Sequence, residues 1–92
     1  MLWDDGTDSN SAGATRYILE RRYGMPVSVI RTGTLGRADL SLFDVVILPE
    51  QGRAGYSSVL GASGSAQLTR FVRAGRVLVG LGDATRWLAD PE

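Results

Sequence analysis

The sequence predicts an α/β protein whose strands form an open parallel sheet with helices on both faces, a three-layer α/β/α arrangement. Two observations predict this class. Short apolar stretches of strand length alternate along the chain with stretches that have the periodicity of amphipathic helices. Such alternation implies crossover connections, which make successive strands parallel. Counting the apolar stretches gives about four strands in one domain that covers residues 1–92.

The first helix is predicted over residues 12–23, where apolar and charged residues fall on opposite faces. Ser9 or Ser11 supplies the side-chain oxygen that caps its first turn. Gly24 suits the left-handed residue that ends many helices, and Pro26 prevents the helix from continuing. The sequence therefore places both ends of this helix.

Three apolar stretches in the first half of the chain predict strands. Leu2-Trp3 is a short apolar start, and the β-branched stretch 27–31 predicts a second strand. A short helical turn is predicted around residues 38–42, with Asp39 near its start. The stretch 45–49 is apolar without alternation, which is typical of a strand buried on both faces.

In the second half, residues 50–63 are polar and rich in glycine and are predicted to form a long loop. A helix follows, capped by a serine at its start and ended by Gly75. Residues 76–81 predict a fourth strand, and residues 84–89 predict the start of another helix. This order is that of a flavodoxin-like sheet. We expect the chain to be a piece of a longer protein, truncated at both ends.

The composition excludes several classes of function. The ten cations are all arginines, they balance ten carboxylates, and the chain has no Lys, His or Cys. It cannot form a Cys/His zinc site, a Ser-His-Asp triad, a thiol nucleophile or a disulfide. Zero net charge argues against nucleic-acid binding, and no apolar run is long enough to cross a membrane. We expect no catalysis by this chain and no cofactor.

The candidate ligand site lies where the parallel strands end, because open α/β sheets bind ligands beyond the carboxyl ends of their strands. Acidic side chains at this edge offer oxygen ligands to a divalent cation. The alternative, which we favour, is that the short acidic side chains cap helices and turns. The candidate rim residues are Asp4, Asp5, Thr32, Glu50, Gln51, Gly52, Gly82 and Asp83.

Two side chains of the predicted loop 50–63, Arg53 and Tyr56, are candidates for contact with a partner, since Arg and Tyr are enriched at interface hot spots. The alternative is an ordinary solvated loop. The predicted loop is rich in glycine, but it lacks the Lys and Ser/Thr spacing of a phosphate-binding loop.

The stretch 80–85 imitates part of a dinucleotide-binding fingerprint, but it follows the last strand instead of the first. We therefore interpret Gly80 and Gly82 as glycines of a sharp strand-to-helix turn. Such a turn presents the nucleophile in several hydrolase folds. Here Leu81, Gly82 and Asp83 occupy it, so it carries no thiol or hydroxyl nucleophile.

Three segments carry a family resemblance: residues 12–20, residues 43–50 and residues 68–82. Together they resemble the class I glutamine amidotransferase-like domain found C-terminal to bacterial zinc carboxypeptidase A-type modules. The resemblance implies a flavodoxin-like appendage that lacks the amidotransferase Cys and His, while the peptidase zinc site lies elsewhere in the protein. The chain departs from this pattern at Arg76, where relatives generally keep a second glycine.

The expected function is accordingly that of a non-catalytic accessory domain that supports or positions a peptidase module, or binds part of its substrate. The alternatives are a small-ligand or metal-binding domain that uses the acidic rim, and a degenerate hydrolase completed by residues outside this chain. The expected partners are the peptidase module and a second copy of the chain. The resemblance implies a periplasmic or secreted location if the parent carboxypeptidase is exported.

Overall fold

The computed structural model describes residues 1–3, 7–52 and 55–89. These residues form a mixed structure of helices and strands, which confirms the predicted α/β class. The elements in chain order are β1 (Leu2–Trp3), α1 (Ser9–Tyr17), a π-helical turn (Ile18–Arg22), β2 (Ile30–Arg31), a 3₁₀ segment (Thr32–Arg37), a 3₁₀ turn (Leu40–Leu42), β3 (Val45–Leu48), α2 (Tyr56–Arg73), β4 (Val77–Gly80) and α3 (Ala84–Ala89).

The strands pair in parallel, as predicted, but they form two sheets of two strands instead of one sheet. β1 pairs with β2, and β3 pairs with β4 over the register from Val45–Val77 to Leu48–Gly80. β1 also lies next to β3. β2 is shorter than the predicted strand 27–31: in the described residues, Ile30 and Arg31 pair with Leu2 and Trp3.

The chain start is tied to β2 by its first residue. The Met1 ammonium donates a 3.0 Å hydrogen bond to the Ser28 carbonyl, and the Ile30 amide donates to the Met1 carbonyl at 3.0 Å. Burial lowers the pKa of this ammonium, because removal from water disfavours its charged form. These bonds hold the beginning of the chain beside the 28–30 segment.

The core is one cluster to which β3, α2 and the 3₁₀ segment contribute. Val46 and Leu48 of β3 are almost fully buried in it, together with Leu68 and Phe71 of α2. Each such side chain contributes roughly 1.5–3 kcal/mol by leaving water. The other members of the cluster are Leu2, Leu35, Leu40, Tyr56, Leu60, Ala84 and Trp87.

The opposite face of β3 and β4 is open to solvent at one end. Val45 is 47% exposed and its partner Val77 is 54% exposed. The prediction that these strands are buried on both faces is therefore wrong at these positions. The buried face of a strand is identified by alternation of apolar and polar residues, and a uniformly apolar run has none. The sequence therefore did not show that Val46 is buried and Val45 exposed.

α2 begins at Tyr56, well before either serine that was predicted to cap it, Ser63 or Ser65, so the predicted loop 50–63 is wrong from Tyr56 onward. Tyr56 and Leu60 are both buried at helical i, i+4 spacing, and they anchor the early part of the helix. The helix is kinked at Gly61, whose backbone has φ 63° and ψ −168°. The sequence did not predict this part of the helix, because the Ser, Gly and Ala residues around the kink are typical of loops.

α1 differs from the predicted helix 12–23 at both ends. It starts at Ser9, and its cap is Asp8, whose carboxylate accepts a 3.0 Å hydrogen bond from the Ser11 amide. The proposed serine caps are therefore wrong. Beyond Tyr17 the helix passes into the π-helical turn, and an Arg16–Glu20 ion pair of 3.0 Å spans the junction.

Candidate functional site

The segments that follow β1, β3 and β4 meet at one edge of the structure, as the parallel arrangement requires. Thr7 forms an antiparallel bridge with Gln51, and the Asp8 amide donates a 2.7 Å hydrogen bond to the Glu50 carbonyl. On the other side, the Leu81 amide donates to the Leu48 carbonyl at 3.0 Å. We call this edge the strand-end rim.

Gln51 is the residue that connects the parts of the rim. Its backbone amide donates a 2.7 Å hydrogen bond to the Asp83 carboxylate, and its side-chain amide donates to the Asp83 carbonyl at 3.1 Å. Its side-chain oxygen accepts a 2.9 Å bond from the Tyr56 amide, at the first turn of α2. The Asp83 carboxylate thus satisfies a backbone donor of a distant segment of the chain, 32 residues earlier, and not one of its own helix or turn.

Tyr56 lies beneath the rim and is fully buried. Its hydroxyl donates a 2.6 Å hydrogen bond to the Pro49 carbonyl, and its ring lies 5.7 Å from the Trp87 ring at a tilt of 58°. Burial, with a smaller effect of the Asp83 carboxylate, raises the pKa of the Tyr56 phenol. The expectation that Tyr56 offers a contact surface in a loop is wrong. Arg53, its predicted companion, lies outside the described residues.

Gly82 forms the sharp turn between β4 and α3 that the sequence predicted. Its φ is 54°, and the Thr85 amide and hydroxyl both donate to its carbonyl, at 3.2 and 2.8 Å. A β-carbon at Gly82 would overlap the side chain of Glu50. In the turn at which some hydrolases present a nucleophile, the position of positive φ therefore carries no side chain, and Glu50 fills the adjacent space.

The structure brings four of the predicted rim residues together: Glu50, Gln51, Gly82 and Asp83. Gly52 follows them, and its carbonyl accepts a 3.2 Å hydrogen bond from the Gly55 amide. Thr32 is buried where β2 passes into the 3₁₀ segment. The predicted rim residues Asp4 and Asp5 lie outside the described residues.

In the described part of the rim, hydrogen bonds connect the polar groups to one another. Within residues 1–3, 7–52 and 55–89, no three His, Cys, Asp or Glu side chains are grouped as a metal ion would need. Gln51 and Asp83 use their polar atoms on each other and on backbone groups. This arrangement fixes the ends of β3 and β4 relative to α2.

Sequence reasoning missed the role of Arg76, which it identified only as a departure from the family pattern. Its Nη1 atom donates hydrogen bonds to the carbonyls of Leu40, Ser41 and Phe43, at 3.0, 2.6 and 2.6 Å. These partners precede Arg76 by more than thirty residues, so no local sequence pattern predicts them. The arginine joins the start of β4 to the 3₁₀ turn before β3.

No family model, curated protein or solved structure matches this chain. The amidotransferase-like resemblance therefore rests on the three sequence segments that carry it. Among the residues that the structure describes, no helix combines the length and the apolar character that a membrane span requires.

Proposed function

We propose that this chain is a non-catalytic, amidotransferase-like accessory domain that supports or positions the peptidase module of a zinc carboxypeptidase-type protein. The observation that carries the proposal is the turn at Gly82. It has the sharp strand-to-helix form that presents a nucleophile in hydrolases, yet it holds a glycine in a chain without Cys, His or Lys.

The strand arrangement supports a flavodoxin-like fold for this domain. The parallel pairs β1–β2 and β3–β4, together with the adjacency of β1 and β3, agree with the spatial order β2-β1-β3-β4. This is the order of the first four strands in flavodoxin-like sheets. The three-layer arrangement with helices on both faces is part of the proposal.

The hydrogen bonds of the rim support a structural role for the edge that would otherwise bind a substrate. Gln51 and Asp83 satisfy each other, and the Glu50 side chain lies against Gly82. A substrate would have to displace these contacts before it reached the turn. A domain with a purely structural role can keep these contacts intact.

Two measurements on the chain test the proposal. Glutaminase and carboxypeptidase assays should both show no turnover, and turnover of either substrate would overturn the non-catalytic assignment. Isothermal titration of a zinc carboxypeptidase A-type catalytic domain with this chain should show saturable binding. Absence of heat in that titration would overturn the accessory role. An unrelated metallopeptidase of another fold is the control for nonspecific association.

We propose in addition that the isolated chain pairs with a second copy through the exposed valine face of β3 and β4. Val45 and Val77 are adjacent in register and about half exposed. Because the net charge is zero, two copies do not repel each other through their overall charge. Sedimentation velocity at tens of micromolar should show a dimer. A Val77→Thr variant should shift it toward monomer, whereas Val72→Thr on α2 should not. A monomer of the unmodified chain would contradict this pairing.

A further inference from the structure

A cavity of about 380 Å³ lies at the end of the structure opposite the strand-end rim. It is bounded by the segment 38–41, by the second half of α2 and by Arg76 at the start of β4. Its volume lies within the range of cavities that bind small molecules. None of the sites predicted from the sequence falls in it.

Two arginines, Arg70 and Arg76, line this cavity. Within the described residues neither guanidinium forms an ion pair, in contrast to Arg16, which pairs with Glu20. Guanidinium groups that converge on one cavity are the preferred partners of carboxylates and phosphates, because their N–H groups match the spacing of the oxygens.

Arg76 is held in place before any ligand arrives. Three backbone carbonyls accept hydrogen bonds from its Nη1 atom, and its guanidinium carbon lies 5.9 Å from the centre of the Phe71 ring. The same nitrogen donates all three bonds, so its two protons are shared among the three carbonyls. Within the part of the chain that the structure describes, the Nε and Nη2 protons remain available to a ligand, on a group whose orientation is already fixed.

Arg70 is connected to the opposite wall through Gln67. Its Nη2 atom donates a 2.9 Å hydrogen bond to the Gln67 side-chain oxygen, and the Gln67 side-chain nitrogen donates to the Ala38 carbonyl at 2.5 Å. This relay spans the cavity from α2 to residue 38. It holds the Arg70 guanidinium beside the cavity, although the residue as a whole is exposed.

The remaining lining determines the charge and polarity of a ligand. Leu40, Phe71 and Ala74 supply an apolar wall. Asp39 also lines the cavity, and hydrogen bonds from the Ser41 hydroxyl and amide, with a smaller effect of the Arg76 charge, hold the pKa of its carboxyl below the usual value. At neutral pH two positive groups and one negative group thus face the cavity, which favours an anion of single charge.

We propose that this cavity binds a small monocarboxylate with an apolar body, whose carboxylate is held by Arg70 and Arg76 while the apolar part contacts Phe71 and Leu40. The site is separate from the rim and does not depend on the accessory role. A carboxylate without an apolar part leaves the wall of Leu40, Phe71 and Ala74 unused and binds more weakly.

The test is a calorimetric titration of the full chain with 3-phenylpropionate, with 3-phenylpropionamide as the uncharged comparison. The carboxylate should bind saturably, and the amide should bind at least about tenfold more weakly, the factor expected for loss of a charge-assisted hydrogen bond. Equal binding of the two, or no binding of the carboxylate, would overturn the proposal. Inorganic phosphate that bound as tightly as the carboxylate would overturn the preference for a single charge.

Two arginine variants assign the site. Arg70→Gln should weaken 3-phenylpropionate binding about tenfold. Arg73→Gln, on the same helix but lining a different groove, should leave it unchanged. Far-ultraviolet circular dichroism confirms that both variants fold. If the two variants bound equally well, or if Arg73→Gln lost as much as Arg70→Gln, the assignment to this cavity would be wrong.

Discussion

Asp83 accepts a hydrogen bond from the backbone amide of Gln51 through its carboxylate and another from the side-chain amide of Gln51 through its backbone carbonyl. The two residues follow β3 and β4, which are neighbours in one parallel pair. These two hydrogen bonds connect the segments that follow the last strand pair, Leu48 and Gly80.

Replacing Asp83 by alanine should lower the free energy of unfolding by about 1 kcal/mol, because the Gln51 amide loses its charged acceptor at an exposed site. Asp83→Asn keeps a side-chain oxygen in the same place and should cost less than half as much. Urea denaturation of the two variants checks this order. Equal losses would show that the hydrogen bond contributes nothing.

Replacing Tyr56 by phenylalanine should lower the free energy of unfolding by about 1–2 kcal/mol, because the buried Pro49 carbonyl loses its hydrogen-bond donor. The ring packing against Trp87 is kept in this variant. Tyr17→Phe, at a site that is 62% exposed, is the matched control and should change little. Similar urea midpoints for both variants would contradict the structural role of the hydroxyl.

Alkaline pH should weaken the fold through Tyr56. Its pKa is raised above the ordinary value of 10.0, so above about pH 10 the unfolded chain releases the phenol proton while the folded chain keeps it. Stability is therefore present below this pH and is lost as the pH rises, by at most about 1.4 kcal/mol per pH unit. Unfolding curves across this range should be less steep in pH for Tyr56→Phe. Parallel curves would rule out Tyr56 as the source.

Replacing Gly82 by alanine should cost about 1–2 kcal/mol, because an L-residue is strained at a φ of 54°. The new methyl group also displaces the Glu50 side chain. Removing that side chain in a Glu50→Ala, Gly82→Ala double variant should recover only the steric part of the loss. Thermal unfolding of the single and double variants measures the two parts, and a neutral Gly82→Ala would contradict the turn geometry.

The sequence was sufficient for features that depend on neighbouring residues. Gly75 follows α2 with a positive φ, as predicted, and the helical turn predicted near Asp39 is present as the 3₁₀ turn that Asp39 caps. The parallel pairing of β3 with β4 also followed, since the helix between two strands makes a crossover connection.

Features that depend on distant partners did not follow from the sequence. Tyr56 was predicted to offer a contact surface in a loop because serine and glycine surround it, and only the fold shows that its hydroxyl bonds the Pro49 carbonyl and its ring packs against Trp87. Arg76 likewise reaches carbonyls that no local pattern predicts. At the rim, the four residues that meet were predicted from strand order alone, whereas their bonds to one another were not.

The kink at Gly61 divides α2 into two parts that differ in their ability to form a helix alone. The piece from Tyr56 to Leu60 is too short to be a stable helix alone, since helix formation needs roughly 12–15 residues before propagation outweighs nucleation. The helical structure of this part therefore depends on the burial of Tyr56. Amide hydrogen exchange should be faster in this piece than in the turns after Gly64, and a protease should find its first cleavage point there once the anchor is weakened.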